Sequence, residues 1–352
     1  MKRVRRKTSA SRSVDLLALA ECVEKFAGKR IVLLGDFVAD EFQSGEISRV
    51  SREAPVLILK HRETQIVPGG GANAAHNLAT LGARVVPISA VGDDPAGNAL
   101  LAFFRRKAIS TSGIQKIKGW TTPTKTRFLA GWTHTTGQQV LRVDYEPNSR
   151  IPDAARQKIY RSLQSNLKSA DALAVSDYSF GIANPDFLQR LFSNRKTDLL
   201  ITLDVRYGLH TYAKCGISTA TPNEAELEAA HHMTIAGNSA ELCRAATETV
   251  AAMKLDTLLV TRGKHGMALF DTSGQASEIP VHGSDQAVDV TGAGDTVLAA
   301  YTLALTCGAS PLEAAHIANI AGGLVVMKRG TATVSAEELL EAIRNEASGA
   351  SL

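Results

Sequence analysis

The chain has 352 residues, 44% of them hydrophobic and 21% charged, which is material for one large or two small folded domains. Its formal net charge of +4 is concentrated at one end: residues 1–13 hold Lys2, Arg3, Arg5, Arg6, Lys7 and Arg12 and no acid, so the remainder is net acidic by two. That balance argues against a nucleic-acid-binding body, and no run approaches the roughly 18 apolar residues that a membrane-spanning helix needs.

Residues 1–13 read as a disordered basic arm. From Val14 to Glu21 the apolar run is broken by acids and reads as an amphipathic helix, not as the apolar core of a secretion signal. A short apolar run at 31–34 predicts a strand buried on both faces, ending at Gly35-Asp36. Residues 41–67 carry alternating segments, Val56-Leu57-Ile58-Leu59 and Thr64-Gln65-Ile66-Val67, with no helix between them. Pro68-Gly69-Gly70-Gly71-Ala72-Asn73 then opens a helix whose apolar positions Ala75, Leu78, Ala79 and Leu81 recur at helical spacing, with Gly82 as its C-terminal stop. Further strands are predicted at 85–89, 172–175, 199–203 and 257–260, and helices at 98–107, 154–167, 223–230, 239–253, 293–306, 311–327 and 336–345. Residues 120–145 interrupt this alternation again, with strand-like 125–130 and 139–144 on either side of Thr133-His134-Thr135-Thr136-Gly137. The alternation predicts a three-layer α/β/α domain on a mostly parallel, doubly wound sheet, with hairpins projecting at 41–67 and 120–145. Ligands in such sheets bind beyond the carboxyl ends of the strands, where Asp36 and Asp204 fall. Cys22, Cys215, Cys243 and Cys307 lack metal-type spacing and read as buried free thiols of a reducing, cytoplasmic compartment.

The densest chemical signal is Asp289-Val290-Thr291-Gly292-Ala293-Gly294-Asp295-Thr296. Val288 and Val290 flank Asp289 as at the end of a strand, and a buried helix follows. Glycines let the backbone approach an anion closely, and the free N–H groups of a helix's first turn can hold one. Asp295 in that turn is positioned to take a proton from a hydroxyl beside the bound phosphate, the pairing that phosphoryl transfer to an alcohol requires. Its place at a helix N-terminus predicts the charged form. The competing reading is a glycine turn with a capping aspartate. Asn73, at the other glycine-led helix start, offers two donors and an acceptor for a sugar hydroxyl.

These two signatures, together with Gly82 and Gly92, Gly35-Asp36, Asn223-Glu224-Ala225-Glu226, Thr261-Arg262-Gly263 with Gly266, and Asn319 in order, resemble the ribokinase-like (PfkB) carbohydrate kinases over residues 30–346. The resemblance implies a single kinase domain at 14–346 followed by a short tail at 347–352. It makes 41–67 and 120–145 a β-sheet lid that covers the sugar and pairs subunits into a homodimer. It also implies ATP as co-substrate with Mg²⁺. In it Asp295 is the catalytic base, and Gly292, Ala293 and Gly294 donate N–H groups to the transferred phosphate. Asn223, Thr261, Arg262, Gly263, Gly266 and Asn319 bind ATP, and Glu226 holds Mg²⁺ through water. Asp289 and Thr291 lie near a monovalent cation such as K⁺. Asp36, Asp40, Gly70, Gly71 and Asn73 bind the sugar. Read alone, Glu226 is also an ordinary residue of an acidic helix, and Asn319 a satisfied buried amide.

A narrower resemblance is to the D-glycero-β-D-manno-heptose-7-phosphate kinases. It rests on Ser48-Arg49, Ser51, Glu53-Ala54-Pro55-Val56, Gln139, Leu141-Arg142-Val143-Asp144, Ser176-Asp177-Tyr178, Lys328 and Gly330-Thr331-Ala332-Thr333-Val334-Ser335. It implies a sugar phosphate as acceptor, with Arg49, Arg142 and Arg206 as candidate partners of its phosphate. Relatives in that subgroup carry a fused nucleotidyltransferase, so a separate nucleotidyltransferase chain is expected as pathway partner. Glu41, Arg52, Phe180 and Val205 depart from the subgroup's pattern and leave open another sugar, such as ribose, fructose or a keto-deoxy sugar acid; against a different class of reading, a non-catalytic sugar- or nucleotide-binding regulator, stand the intact Asp295 and Gly292 to Gly294.

Overall fold

The structure, a computed structural model, describes residues 14–131, 137–192, 199–235, 237–283 and 286–349. The basic arm 1–13 and the turn residues Thr133, His134, Thr135 and Thr136 lie outside the described residues. In chain order the strands are β1 (Arg30–Gly35), β2 (Phe37–Val50), β3 (Leu57–Gly70), β4 (Arg84–Gly92), β5 (Ile114–Ile117), β6 (Thr124–Gly131), β7 (Gln138–Tyr145), β8 (Ala172–Asp177), β9 (Leu200–Val205), β10 (Thr219–Ala220), β11 (Thr257–Thr261), β12 (Met267–Asp271) and β13 (Ala276–Ile279). The helices are α1 (Leu16–Glu24), α2 (Gly71–Thr80), α3 (Pro95–Arg106), α4 (Asp153–Asn166), α5 (Pro185–Phe192), α6 (Glu224–His231), α7 (Ser239–Met253), α8 (Ala293–Thr306), α9 (Pro311–Val325) and α10 (Ala336–Ala347).

Among the described residues the main sheet has nine strands, ordered β13-β12-β11-β10-β9-β8-β1-β4-β5. Side chains alternate along β1: Ile31 and Leu33 enter one core, Val32 and Leu34 the other. Helices α1–α3 and α8–α10 cover the first face, and α4–α7 the second. Burial on both faces is why the central strands read as unbroken apolar runs in sequence. The pairing is parallel except at β12 and β13, an antiparallel edge. Neither of these strands, nor the eight-residue α5, is expected from the sequence, because segments so short carry little periodicity.

A second sheet, β3-β2-β6-β7, projects from the body. Only Asp36 separates β1 from β2, so the chain passes straight from the main sheet into the projection. Strand β2 pairs parallel with β6, which joins 41–67 and 120–145 into the one projecting sheet that the family resemblance implies, and the segments around 56–59 and 64–67 belong to the single strand β3. The strand expected around Val288 and Val290 is absent. Both side chains are exposed, at 51% and 69%, and the N–H groups of Val288 and Asp289 both donate to the Val326 carbonyl of the α9 C-terminus. All four cysteines are free, with Cys22 and Cys215 buried and Cys243 and Cys307 half-buried. No described helix is long and apolar enough to cross a membrane.

Candidate active site

Helix α8 begins where the sequence places it. Gly292 is its N-cap, in the left-handed region with φ of +79°, and a Cβ there would lie 2.4 Å from Asn73 Nδ2. Nothing lies within 4 Å of the Cβ position of Gly294, so the first turn opens onto free space. Helix geometry leaves the first-turn N–H groups without intrahelical acceptors, which suits an anion.

Asp295 stands third in this helix and is 2% exposed. Asn73 Nδ2 donates to its Oδ2 at 2.9 Å, and the Tyr178 hydroxyl donates to its Oδ1 at 3.2 Å. Burial pushes its pKa up to about 7 against both donors and the Lys125 charge, with the Asp40 carboxylate pushing the same way. The expectation of a plainly charged aspartate is thus corrected. Desolvation outweighs the helix end, and Asp295 is poised to take up a proton near neutral pH.

Asn73, expected to bind a sugar hydroxyl, is fully buried and spans the two helix starts. Besides Asp295 it donates to Gly292 O at 3.4 Å and accepts from Asn77 Nδ2 at 3.2 Å; Thr296 Oγ1 in turn donates to Asn77 Oδ1 at 3.0 Å. Its amide therefore holds the aspartate in place. Asp36, expected to bind sugar hydroxyls, has backbone partners. Fully buried, it accepts from Tyr178 N and Phe180 N on Oδ2 and from Ile182 N on Oδ1, each at 2.9 Å. It ties down segment 178–182 after β8, and burial, then Asp177, pushes its pKa up to about 8. Gly70 and Gly71 serve close approach: Gly71 N donates to Asp36 O at 2.9 Å, and a Cβ on Gly70 would crowd Val38 and Tyr178. Asp40, 4% exposed, pairs with Arg127 Nη1 at 2.5 Å and accepts from Thr331 Oγ1 at 3.2 Å.

Against this centre lies a cleft of about 430 Å³ lined by Tyr178, Asp204, Arg206, Asn223, Glu226, Thr261, Gly292, Gly294 and Asp295. Asn223 caps α6 and forms a reciprocal capping box with Glu226. Burial raises the pKa of Glu226, and burial followed by the Glu226 charge raises that of Asp204. Two neighbouring acids that burial makes costly to ionise, one of them also raised by the other's charge, are a donor set that a divalent cation suits. No group of three or more possible ligands occurs among the described residues, so water and phosphate oxygens would complete its shell.

Arg262, expected at the phosphates, turns elsewhere: its Nε donates to Glu224 at 2.7 Å and its Nη1 lies 3.6 Å from Glu278. Gly263 opens the short turn before β12, and Gly266 is required because its Cβ would lie 2.1 Å from Ile279 O. A second cavity, about 750 Å³, has walls that include Ile279, Val281, Ile320, Leu324 and Met327, and Asn319 borders it while donating to Pro280 O at 2.8 Å. Asp289 accepts from Thr291 N and Gly330 N, both at 2.9 Å. Burial raises its pKa, yet these backbone donors outweigh burial and leave it lowered, so it keeps its charge.

Of the three candidate arginines Arg49 lies apart, while Arg142 and Arg206 both act on the charge of Lys125. Arg49 is exposed nine residues beyond Asp40 on β2, roughly 30 Å along the strand. Arg142 grips Asp144 at 2.8 and 3.0 Å, and Arg206 lines the cleft with Tyr207 at its guanidinium. Lys125 is the cation that sequence reading missed: its Nζ sits 5.3 Å from the Tyr178 ring centroid, and burial, then Arg206, lowers its pKa. A signal existed, since Lys125 and Arg127 at i and i+2 of a strand share one face.

A family model described as pfkB family carbohydrate kinase matches residues 31–339. The chain belongs to this family. As a pfkB kinase it is a phosphotransferase that uses ATP with Mg²⁺. It is 35% identical over 328 residues to the "Bifunctional protein HldE" of Mesorhizobium japonicum, covering 92% of this chain and 64% of that protein. Its identity to the Geobacter metallireducens protein of the same name is 36% over 310 residues, covering 88% and 62%. The kinase thus spans just under two thirds of the length of these relatives. Its fold is that of Escherichia coli phosphofructokinase-2 in complex with potassium (TM-score 0.73, 19% identity, 91% and 99% covered). It is likewise that of Arabidopsis thaliana ribokinase complexed with ribose and ATP (TM-score 0.69, 19% identity, 90% and 99% covered).

Proposed function

We propose that this pfkB kinase transfers the γ-phosphate of ATP to the anomeric hydroxyl of D-glycero-β-D-manno-heptose 7-phosphate, giving the 1,7-bisphosphate. The observation that carries the reading is a buried aspartate of near-neutral pKa beside the open first turn of α8. Asp295 orients the acceptor hydroxyl and takes its proton. The N–H groups of Gly294 and its neighbours neutralise charge on the transferred phosphate, and the loose transition state asks for this more than for a strong base. Glu226 and Asp204 would hold Mg²⁺ through water, which supplies further charge neutralisation at the phosphates. The charged Asp289 suits a neighbouring monovalent cation. The apolar-walled cavity beside Asn319 suits a purine base.

For the acceptor, the HldE likeness and Lys125 support a phosphorylated sugar. A free sugar is the second reading. It is favoured by the Arg127–Asp40 and Arg142–Asp144 pairs, which engage two of the arginines of the projecting sheet with carboxylates. An ADP-release assay over heptose 7-phosphate, other sugar phosphates and free sugars tests the choice. Heptose 7-phosphate is expected to give the highest kcat/KM, and a free sugar that outruns every phosphosugar overturns the assignment.

Two further elements complete the reading. Val50, Val56, Leu57, Val140, Leu141 and Tyr145 are exposed apolar residues of the second sheet and the turn entering β3, which supports a homodimer paired through this lid. On this reading the setting is the cytoplasm.

A further inference from the structure

On the reading of Asp295 as base, we propose that Tyr178 is a positioning residue: its hydroxyl fixes the aspartate oxygen that meets the acceptor, and Asp36 anchors the segment that carries it. Asn73, which does not line the cleft, donates to Oδ2, so Oδ1 is the carboxylate oxygen whose partner is a cleft-lining residue. Tyr178 donates to that oxygen at 3.2 Å. A carboxylate oxygen accepts two hydrogen bonds, so the phenol fills one lone pair and aims the other. Burial, then the Asp295 charge, holds the phenol protonated well beyond its ordinary range, so it acts as donor and not as a second base.

The ring is fixed from several sides. Lys125 Nζ lies over one face, a Cβ on Gly70 would come within 3.1 Å of its edge, and Tyr178 N is bound to Asp36. The segment behind it is held against strain. Ser179 has a left-handed φ of +67°, while Asp36 takes three N–H groups and Asp177 takes the Ser179 N–H at 2.7 Å. A non-glycine residue in that region persists when its surroundings over-determine it, a pattern met at functional sites. Asp36 thereby reaches the chemistry through Tyr178.

Tyr178→Phe keeps the ring and removes only the donor. The phenol favours the anion of Asp295, so its loss raises the aspartate's pKa above about 7. The base works deprotonated, so the acid limb of the kcat/KM profile should move up by about one pH unit. The value of kcat/KM would then fall roughly fivefold at pH 7 and recover by about pH 9, with KM for ATP and Tm unchanged. The assay uses whichever sugar in the ADP-release panel turns over fastest. Coincident wild-type and Phe profiles overturn the proposal, because a ring that merely packs would be preserved. Asp36→Asn should move the limb in the same direction, and the double variant should move it no further than Tyr178→Phe alone; full additivity overturns the anchoring role of Asp36. Asp295→Asn separates the two levels. If it keeps turnover, the base reading fails; if it abolishes turnover while the Phe profile stays unmoved, only the role of Tyr178 fails.

Discussion

Replacing Gly292 by Ala perturbs the base without touching it. The new Cβ would lie 2.4 Å from Asn73 Nδ2 and 3.1 Å from Thr331 Cγ2, so the Asn73 amide must leave its place. That amide donates to Asp295 Oδ2 at 2.9 Å, and a hydrogen bond to a charged group contributes about 1.5–3 kcal/mol. Lost from the transition state, this corresponds to roughly a ten- to hundredfold fall in kcat. Losing the donor also raises the aspartate's pKa further, so the deficit should be larger at pH 6.5 than at pH 8.5. Separately, the left-handed φ of +79° costs an alanine about 1–2 kcal/mol, read as a Tm lower by a few degrees. Steady-state ADP release across pH and a thermal melt measure the two effects independently. A variant that melts early yet keeps kcat within about threefold of wild type at pH 7 would refute the coupling of Asn73 to the base.

Asp295→Asn should lower kcat by roughly 10²–10⁴ while ATP binding by calorimetry is kept; more than about a tenth of normal turnover rules it out as the base. Lys125→Ala should reduce kcat/KM about ten- to hundredfold more for a phosphosugar than for a free sugar, whose loss is confined to the change at Tyr178 and Asp295, whereas equal losses on both would count against a phosphate contact. Gly266→Ala sets a Cβ 2.1 Å from Ile279 O and 2.6 Å from Val281 N, both backbone atoms, at a φ of +73°. It should cost about 3 kcal/mol or more by denaturant melt, and near-wild-type stability would show that the β12–β13 edge is looser than its geometry implies.

Much of the fold was legible because its determinants are local. Unbroken runs such as 31–34 reveal strands buried on both faces, and Gly292-Ala293-Gly294 reveals an open helix start, since glycine's backbone freedom needs no distant partner. The parallel seam between β2 and β6 was not legible, because no local pattern states which strand another will lie beside. The short antiparallel edge at β12 and β13 offered too few residues for a period to show.

Sequence by itself determined the kinase family, the two glycine-led helix starts and the identity of the aspartate between them. Tertiary structure alone decided what surrounds that aspartate. Asn73 reaches it from 222 residues away, Tyr178 from 117, and Arg127 meets Asp40 across 87. An arginine in a sequence shows its charge and not a distant partner, so the pairing of Arg262 with Glu224 is seen only once the two segments are folded together. The protonation of Asp295 follows the same logic. The helix end favouring its anion is local and visible in the chain, while the desolvation that overrides it arises only when segments distant in sequence close over the site and exclude water.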